Sequence, residues 1–300
     1  MEANPGTLSL QYLEELRRIG INRLSLGMQS MVPEELKLLG RQHDTIDVIK
    51  TINWARRAGF ENINLDLIFG LPGQSIKSWK RSIEIAEKIH PEHFSLYSLT
   101  IDPGTLLERW YKGGLLPVID NDKTAEMYEW AGERLENSGY KQYEISNWAK
   151  YGDEGLMMCH HNLQYWKNKP YLGFGAGAHG YARKMRVANV ASIDEYIIRC
   201  THRTEVKFPR SPATFSEDII DYANEMAETM IMGLRLTREG ISDSTFYHRF
   251  GKTLLEMYHQ EIDELIHWGL LEWVGEDKTR AIRITKKGRI LGNQVFIRFV

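Results

Sequence analysis

The alternation of apolar and polar positions is clearest in residues 62–74, NINLDLIFGLPGQ, around which the first third of the chain is organised. The run is rich in residues that favour β-structure and closes on glycine and proline, so it predicts a buried strand that opens into a loop. Asp66 lies inside this run, where a carboxylate is costly unless it has a partner. Parallel α/β sheets place ligand-binding groups at such strand ends, so Asp66 is a candidate binding residue. The alternative is that Asp66 caps a neighbouring element.

Strand and helix patterns alternate from the start of the chain to residue 100. Residues 1–4 resemble the end of a strand, and further strands are predicted at 22–29, 62–70 and 93–100. Helical spacing of apolar residues predicts helices at 8–19, 33–39, 45–58 and 75–89. This alternation predicts parallel strands joined by right-handed crossovers. Because the first strand is a stub that would expose a sheet edge, we expect the domain to lack its beginning.

The rest of the chain has a more mixed pattern. It predicts helices at 105–112, 120–138, 217–233, 246–250 and 254–268, and strands at 141–148, 171–180, 181–189, 270–274 and 281–285. Residues 208–212 resemble a linker. The last helices and the final hairpin predict a winged-helix-like module. Such modules often bind DNA, but these helices carry mainly acidic residues, so we expect no nucleic-acid partner.

Composition narrows the class of protein. The net charge of the 300 residues is −2, which gives no general attraction to nucleic acid or acidic lipid. Cys159 and Cys200 are the two cysteines of the sequence. Two cysteines exclude a disulfide framework and fit a reducing cytoplasm. They also exclude a metal cluster held by three or four cysteines of this chain.

Four polar residues fall where a barrel would gather them at one rim. Glu2 ends the stub strand, Gln29 ends the second strand, Arg41 lies in the loop that follows, and Asp66 lies on the third strand. The carboxylates could bind hydroxyl or amine groups and the arginine a carboxylate, which predicts a polar ligand site. The alternative is four unrelated polar residues at strand ends.

Several motifs resemble one known family, in the same order along the chain. They are EANPGTL at 2–8, LSLGMQS at 24–30, LGRQH at 39–43, NLDLIFGLPGQ at 64–74 and ITKKGRILGNQVF at 284–296. The chain thereby resembles the oxygen-independent coproporphyrinogen III dehydrogenase family, whose radical S-adenosylmethionine (SAM) members have a partial (β/α)6 barrel. The resemblance implies that Glu2, Gln29, Arg41 and Asp66 contact S-adenosylmethionine. It assigns no catalytic residue to this chain.

The sequence departs from that family at its start. Members bind a four-iron, four-sulfur cluster through a Cys-x3-Cys-x2-Cys motif, followed by a GGTP loop, and both belong upstream of Glu2. Neither motif is present in these 300 residues, and Cys159 and Cys200 have a different spacing. We therefore expect a barrel without its first strands, with Met1 taken from an internal methionine codon. The upstream nucleotide frame would test that expectation.

The second departure concerns residues 161–166, HNLQYW. This segment resembles the His-Asn-x-x-Tyr-Trp signature of the HemW group of heme chaperones, whereas the dehydrogenases have an Arg-Asn-containing segment there. The resemblance implies heme binding by His161, Asn162, Tyr165 and Trp166, with His161 as ligand of the heme iron. An imidazole suits an axial position, and aromatic rings offer flat faces to a porphyrin. A purely structural role stays open, and His160 and His179 are competing ligands.

Taken together, the strand and helix pattern and the family resemblance imply a partial (β/α)6 radical SAM barrel in residues 1–105, missing its first strands. A family-specific extension is expected in residues 106–210 and a helical winged-helix-like domain in residues 211–300. The predicted function is a heme chaperone that transfers heme to a partner protein, with a membrane-associated acceptor as one option. The alternatives are the dehydrogenase, which decarboxylates propionate side chains through a radical, and a cofactor-free remnant. A product assay tests the first alternative and a heme titration the second.

Overall fold

The computed structural model describes residues 1–202 and 205–300, without the side chain of residue 278. The chain forms two compact units, Met1–Met158 and Cys159–Val300. No helix within the described residues is both long and apolar enough to reach across a membrane. The expected three-part division at residues 105 and 210 stays a prediction.

The first unit alternates strands and helices. Its strands are β1 (Glu2–Ala3), β2 (Arg23–Gln29), β3 (Asn62–Phe69), β4 (His93–Ser98), β5 (Lys141–Glu144), β6 (Asn147–Ala149), β7 (Tyr151–Gly152) and β8 (Gly155–Leu156). Its helices are α1 (Leu10–Arg18), α2 (Pro33–Leu38), α3 (Thr45–Arg57), α4 (Ile76–Lys88), α5 (Leu106–Lys112) and α6 (Asn121–Asn137). The predicted order of elements up to residue 100 is confirmed.

The main sheet has the strand order β1-β2-β3-β4-β6-β5. Strands β1 to β4 are parallel, as predicted, whereas β6 is antiparallel to both β4 and β5. Within the described residues no pairing joins β1 to β5, so the sheet is open there. An open parallel sheet with crossover helices is the arrangement expected of a partial barrel.

The single strand predicted at residues 141–148 is wrong, because the chain reverses between β5 and β6. Glu144 is fully buried, and its carboxylate accepts a hydrogen bond from the backbone N–H of Ser146 at 3.1 Å. The side-chain amide of Asn147 donates to the same carboxylate oxygen. The Glu144 carboxylate thus accepts the hydrogen bonds of donors in the turn and stabilises a hairpin. Strand propensity alone does not reveal this turn.

The two faces of the main sheet differ in chemistry. Along β3, Ile63, Leu65 and Leu67 are fully buried in the core formed with the helices. Asn64 and Asp66 alternate with them and therefore lie on the opposite face. Burial of each large apolar side chain contributes about 1.5–3 kcal/mol, which fixes the register of β3 and thereby the face on which Asp66 lies.

Side-chain caps determine where the crossover helices begin. Asp44 forms a capping box with Asp47 at the start of α3, and Ser75 forms one with Ser78 at the start of α4. Asp120 accepts hydrogen bonds from two backbone N–H groups of α6. Each cap typically contributes about 1 kcal/mol, so the loops that follow the strands have defined ends.

The second unit contains short strands and more helices. Its helices are α7 (His160–Trp166), α8 (Ile193–Thr201), α9 (Tyr222–Gly233), α10 (Asp243–Phe250), α11 (Leu254–His267), α12 (Lys286–Ile290) and α13 (Gly292–Phe296). Its strands are β9 (His179–Ala182), β10 (Met185–Asn189), β11 (Thr214–Ile219), β12 (Ile241–Ser242), β13 (Leu271–Val274) and β14 (Ala281–Ile284), and single 3-10 turns occupy Asp277–Thr279 and Ile297–Phe299. They form two sheets, β11-β10-β9 and β12-β14-β13.

Two predictions for the second unit differ from the structure. The helix predicted at 217–233 is confirmed from Tyr222, where Asp221 caps it, but residues 217–219 belong to β11, which pairs with β10. The strand predicted at 171–180 is mostly a loop, which runs from a single β-bridge of Tyr171 to Tyr181 to the start of β9 at His179. Its glycines adopt positive φ at positions 175 and 177, and Asn189 donates to the carbonyl of Gly175 at 2.9 Å. Tertiary hydrogen bonds outweigh local propensity in both segments.

The winged-helix-like prediction for the end of the chain is confirmed. Helices α9, α10 and α11 precede the β13–β14 hairpin, and a second hydrophobic core lies among them. Phe246, Leu254 and Ile282 are buried at its centre. The second unit thus has an apolar core of its own.

Candidate functional site

The first candidate site lies on the polar face of the main sheet, around the carboxylate of Asp66. The Ser25 hydroxyl donates to Oδ2 of Asp66 at 3.0 Å, and the Asn64 side-chain amide donates to Oδ1 at 2.8 Å. Burial raises the pKa of Asp66 above its usual value, and these two hydrogen bonds oppose the rise. The negative charge of Glu2 raises the pKa of Asp66 further. Asp66 is therefore partnered, but each of its oxygens retains a lone pair for a ligand.

A second layer of buried polar groups supports this carboxylate. Nδ1 of His93 lies 2.5 Å from Oδ1 of Asn64, and Nε2 of His93 lies 2.8 Å from the Tyr143 hydroxyl. Since the Asn64 oxygen can only accept, Nδ1 of His93 carries the proton and Nε2 accepts from Tyr143. Burial lowers the pKa of His93 well below its usual value, and the charge of Arg23 adds to this effect. His93 is therefore neutral.

Arg41 and Gln29 belong to a second group of polar side chains. Nη1 of Arg41 donates to Oδ1 of Asn4 at 2.6 Å. A methyl group placed on Gly27 would lie 2.8 Å from the Gln29 amide nitrogen and 3.4 Å from the same Asn4 oxygen. Gln29 itself has a positive φ of 62° and is 8% exposed. Gly27 therefore leaves the space into which both amide side chains pack.

The structure relates the four residues predicted to form one site in two groups. Glu2 lies on β1 opposite Ser25 and acts electrostatically on Asp66. Arg41, in the loop before α3, binds Asn4, and the Gln29 amide lies with Asn4 beside Gly27. That these residues contact S-adenosylmethionine stays a prediction.

Sequence reasoning did not find three residues on this polar face. His93, Ser95 and Tyr97 alternate along β4, and Ser95 donates to the Asn64 oxygen at 3.2 Å. Burial, together with the charge of Asp66, raises the pKa of Tyr97 to about 12. The signal was present in the sequence, since polar residues recur at every second position of a predicted strand.

The residues of this chain do not fit an iron–sulfur cluster. Cys159 and Cys200 both lie in the second unit and are free thiols. Among the described residues, no group of three or more histidines, cysteines or carboxylates could hold a metal ion. No radical step is therefore assigned to these residues.

The HNLQYW segment forms most of helix α7. His161 is exposed, and its Nε2 atom lies 3.1 Å from the Tyr165 hydroxyl, one helical turn away. The two rings are nearly perpendicular at 5.0 Å, and the Tyr165 ring contacts Tyr171 at 4.5 Å. Burial raises the pKa of Tyr165, and the nearby Tyr171 adds to the rise. The helix thus presents an imidazole beside the Tyr165 ring, which in turn packs against Tyr171.

The other two residues predicted to bind heme differ in their surroundings. Asn162 is half-buried on α7. The guanidinium of Arg235 covers one face of the Trp166 ring at 4.3 Å. Nε1 of Trp166 is buried and has no hydrogen-bond partner in the described part of the chain. Trp166 therefore belongs to the side of α7 that packs inward, whereas His161 lies on the exposed side.

Comparison with known proteins places both units in one family. Residues 1–86 match the Radical SAM superfamily, and residues 220–291 match the HemN C-terminal domain. The whole chain is 38% identical to the heme chaperone HemW of Bacillus subtilis strain 168, covering 75% of that protein. It is 35% identical to the heme chaperone HemW of Lactococcus lactis subsp. lactis strain IL1403, covering 74% of it.

A solved structure has the same fold. The coproporphyrinogen III oxidase HemN from Escherichia coli, described as a radical SAM enzyme, matches 99% of this chain and 68% of its own with a TM-score of 0.77. The sequences are 20% identical, so this likeness concerns the fold alone. It confirms the predicted radical SAM fold with a helical C-terminal domain. With full-length relatives at 35–38% identity, this chain belongs to the HemW family of the radical SAM superfamily.

Proposed function

We propose that this chain is a heme-binding chaperone that passes heme to an acceptor protein. The observation that carries the proposal is α7, which bears the HNLQYW motif and exposes His161. The names of its relatives, heme chaperones of the HemW group, support the same function. Heme is cargo here, so a reversible site at the surface suits the role better than a fully enclosed pocket.

We further propose that His161 ligates the heme iron, with Tyr165, Asn162 and Trp166 supporting the site. A histidine binds iron through a nitrogen lone pair, so a neutral imidazole is required. Nε2 of His161 faces the Tyr165 hydroxyl, so iron that binds at Nε2 displaces this hydrogen bond. A neutral hydrogen bond contributes only about 1 kcal/mol, which a coordination bond outweighs.

The polar face of the first unit is proposed as the binding site for S-adenosylmethionine. Glu2 and Asp66 offer carboxylates to amine and hydroxyl groups, Arg41 offers a guanidinium to a carboxylate, and Gln29 offers an amide. Weak binding is expected, because the cluster that chelates the methionine part in this superfamily has no ligands in this chain. The alternative function, the dehydrogenase that decarboxylates propionate side chains, depends on that cluster. No observation on these residues favours it.

We place the protein in the cytoplasm on the strength of its two free thiols, which suit a reducing compartment. The acceptor of heme is proposed to be a protein, with a membrane-associated acceptor as one option. A pull-down with heme-loaded chain, compared with the heme-free chain, identifies such a partner.

A heme titration of His161→Ala tests the proposed function. We expect a shifted Soret band and a dissociation constant raised at least about tenfold, because the axial ligand is lost. His160→Ala and His179→Ala are the matched controls and should bind heme as the wild-type chain does. Wild-type spectra and affinity in the His161→Ala protein would show that this histidine is not the ligand.

A further inference from the structure

The C-terminal end of helix α7 is held by one arginine from helix α10. Nη2 of Arg249 donates to the carbonyl of Asn168 at 3.0 Å, and Nη1 donates to the carbonyl of Lys167 at 3.4 Å. Nη2 also donates to Oε1 of Glu225 on α9 at 2.6 Å, and Nε donates to the same oxygen at 3.1 Å. A single guanidinium thus binds the two carbonyls that follow α7 and the carboxylate of α9.

Asn168 closes the same junction from the other side. Its backbone adopts a positive φ of 44°, which ends α7 in a left-handed turn, and the residue is 6% exposed. Its side-chain amide donates to the Thr229 hydroxyl at 3.1 Å. A left-handed residue after a helix satisfies the last carbonyls, and Asn is among the few residues that adopt it readily. The end of α7 is therefore fixed to α9 by a backbone turn and a side-chain bond.

The ion pair between Glu225 and Arg249 holds this junction together. The Glu225 side chain is 9% exposed and the Arg249 side chain 27% exposed, so both charges are largely shielded from water. Nζ of Lys184 lies 3.6 Å from the other carboxylate oxygen of Glu225. Removing one partner of a buried pair leaves an uncompensated charge, which is strongly unfavourable. The pair therefore resists separation and keeps α7, α9 and α10 in one arrangement.

The same contacts determine which side of α7 is exposed. Leu163 is buried, and Trp166 is covered by Arg235, so this side of the helix is fixed inward. His161 and the Tyr165 hydroxyl lie on the other side, about two turns and less than one turn from the junction respectively. A seven-residue helix is too short to be stable alone, so its order depends on these tertiary contacts.

We propose that Arg249 is a positioning residue for heme, acting through α7 together with Glu225 and Asn168. The part that concerns heme rests on the proposed function of His161. Arg249 and Glu225 both lie within residues 220–291, the segment that matches the HemN C-terminal domain. The role of this domain is then to hold the HNLQYW helix in one orientation, in which His161 and Tyr165 face the heme.

Two measurements on Arg249→Gln test the proposal. Hydrogen exchange of the α7 amides in the heme-free chain should become at least about tenfold faster, since the charged hydrogen bonds at its end are lost. Hemin titration should show a dissociation constant raised by about tenfold and a broadened or shifted Soret band. Arg249→Lys, which keeps the charge beside Glu225 but cannot bind both carbonyls at once, should recover part of both effects.

Matched variants separate positioning from general stability. Arg283→Gln breaks a similar ion pair, to Glu272 on the neighbouring strand at 2.8 Å, and should leave α7 exchange and heme binding unchanged. Asn168→Gly keeps the left-handed turn but loses the bond to Thr229, so it should speed α7 exchange while Arg249 stays in place. This variant remains informative if Arg249→Gln does not fold.

The outcomes are distinguishable. If hydrogen exchange of the α7 amides is unchanged in both Arg249→Gln and Asn168→Gly, Arg249 and Asn168 do not hold the end of α7, whatever the heme data show. Faster exchange with wild-type heme affinity and spectrum overturns the positioning role. Heme affinity and a Soret spectrum that are unchanged in His161→Ala contradict the proposed function instead. The exchange data still decide whether Arg249 holds α7.

Discussion

At the scale of single residues, Asp66 shows how a buried carboxylate can be kept ready for a ligand. Its hydrogen-bond partners, Ser25, Asn64 and Ser95, are neutral donors. No cation pairs with it among the described ion pairs, so its charge is not neutralised within the fold. A carboxylate in this state favours a ligand that brings hydrogen-bond donors, such as the hydroxyl groups of a ribose.

Asp66→Ala is expected to weaken the binding of S-adenosylmethionine. Hydrogen bonds to a charged group contribute about 1.5–3 kcal/mol, so the dissociation constant should rise by at least about tenfold. Isothermal titration calorimetry of the wild-type chain and the variant measures this change. Glu61→Ala, which removes an exposed acidic residue just before β3, is the matched control. Asp66→Asn keeps the shape of the side chain, and an unchanged constant in both Asp66 variants would contradict the assignment.

At the scale of elements, hydrogen bonds between side chains tie β2, β3 and β4 together beneath the site. His93 on β4 donates to Asn64 on β3, and Asn64 donates in turn to Ser25 on β2 at 2.6 Å. Each of these groups is buried, and an unpaired polar group there would be costly. The polar face of the sheet therefore has one favoured arrangement, which depends on a neutral His93.

The pKa of His93 predicts how the stability of this sheet depends on pH. Because the pKa is lowered in the folded state, the unfolded chain binds a proton below about pH 6.5 while the folded chain does not. The free energy of unfolding should thus fall by about 1.4 kcal/mol for each pH unit below that value, until the folded-state pKa is reached. Urea unfolding at pH 7.5 and 5.5 measures the difference.

His93→Gln should reduce this dependence on pH, since the titrating group is removed. The matched control is His90→Asn, which replaces an exposed histidine that lies just before β4 with a residue that tolerates its positive φ of 55°. The control should retain the wild-type slope. Equal slopes in the wild-type and His93→Gln chains would show that His93 does not govern the acid sensitivity of the sheet.

At the scale of the whole molecule, two compact units carry two separate candidate sites. The first unit has the polar face around Asp66, and the second has the HNLQYW helix with its arginine clamp. Each unit also has a hydrophobic core of its own. The cysteines both lie in the second unit, so neither is on the polar sheet where S-adenosylmethionine is proposed to bind.

The whole chain is expected to assemble no four-iron, four-sulfur cluster, because such a cluster takes three or four thiolates and this sequence has two cysteines. Anaerobic reconstitution followed by iron and sulfide analysis should give little iron, with no charge-transfer band. Reductive cleavage of S-adenosylmethionine should be absent as well. The control Cys159→Ser/Cys200→Ser should give the same iron content, whereas about four irons per wild-type chain would contradict the prediction.

The sequence by itself determined the elements whose signals are local. The strand β3 and the βα order up to residue 100 depend on neighbours within a few positions, so they were predictable. The motifs were enough to predict the family, because a motif consists of residue types at fixed spacing. The out-of-place Asp66 was visible for the same reason.

Only the tertiary structure decided the features that join distant parts of the chain. The last residues of β11 were predicted to be helical, but the backbone groups of this strand are satisfied by β10, some 30 residues earlier along the chain. Trp166 faces Arg235, and the end of α7 is bound by Arg249, 81 residues beyond Asn168. His93 is neutral because it is buried against Asn64 and Tyr143. Such pairings depend on which groups are brought together and desolvated on folding. The periodicity of apolar and polar residues along a sequence does not specify these long-range contacts.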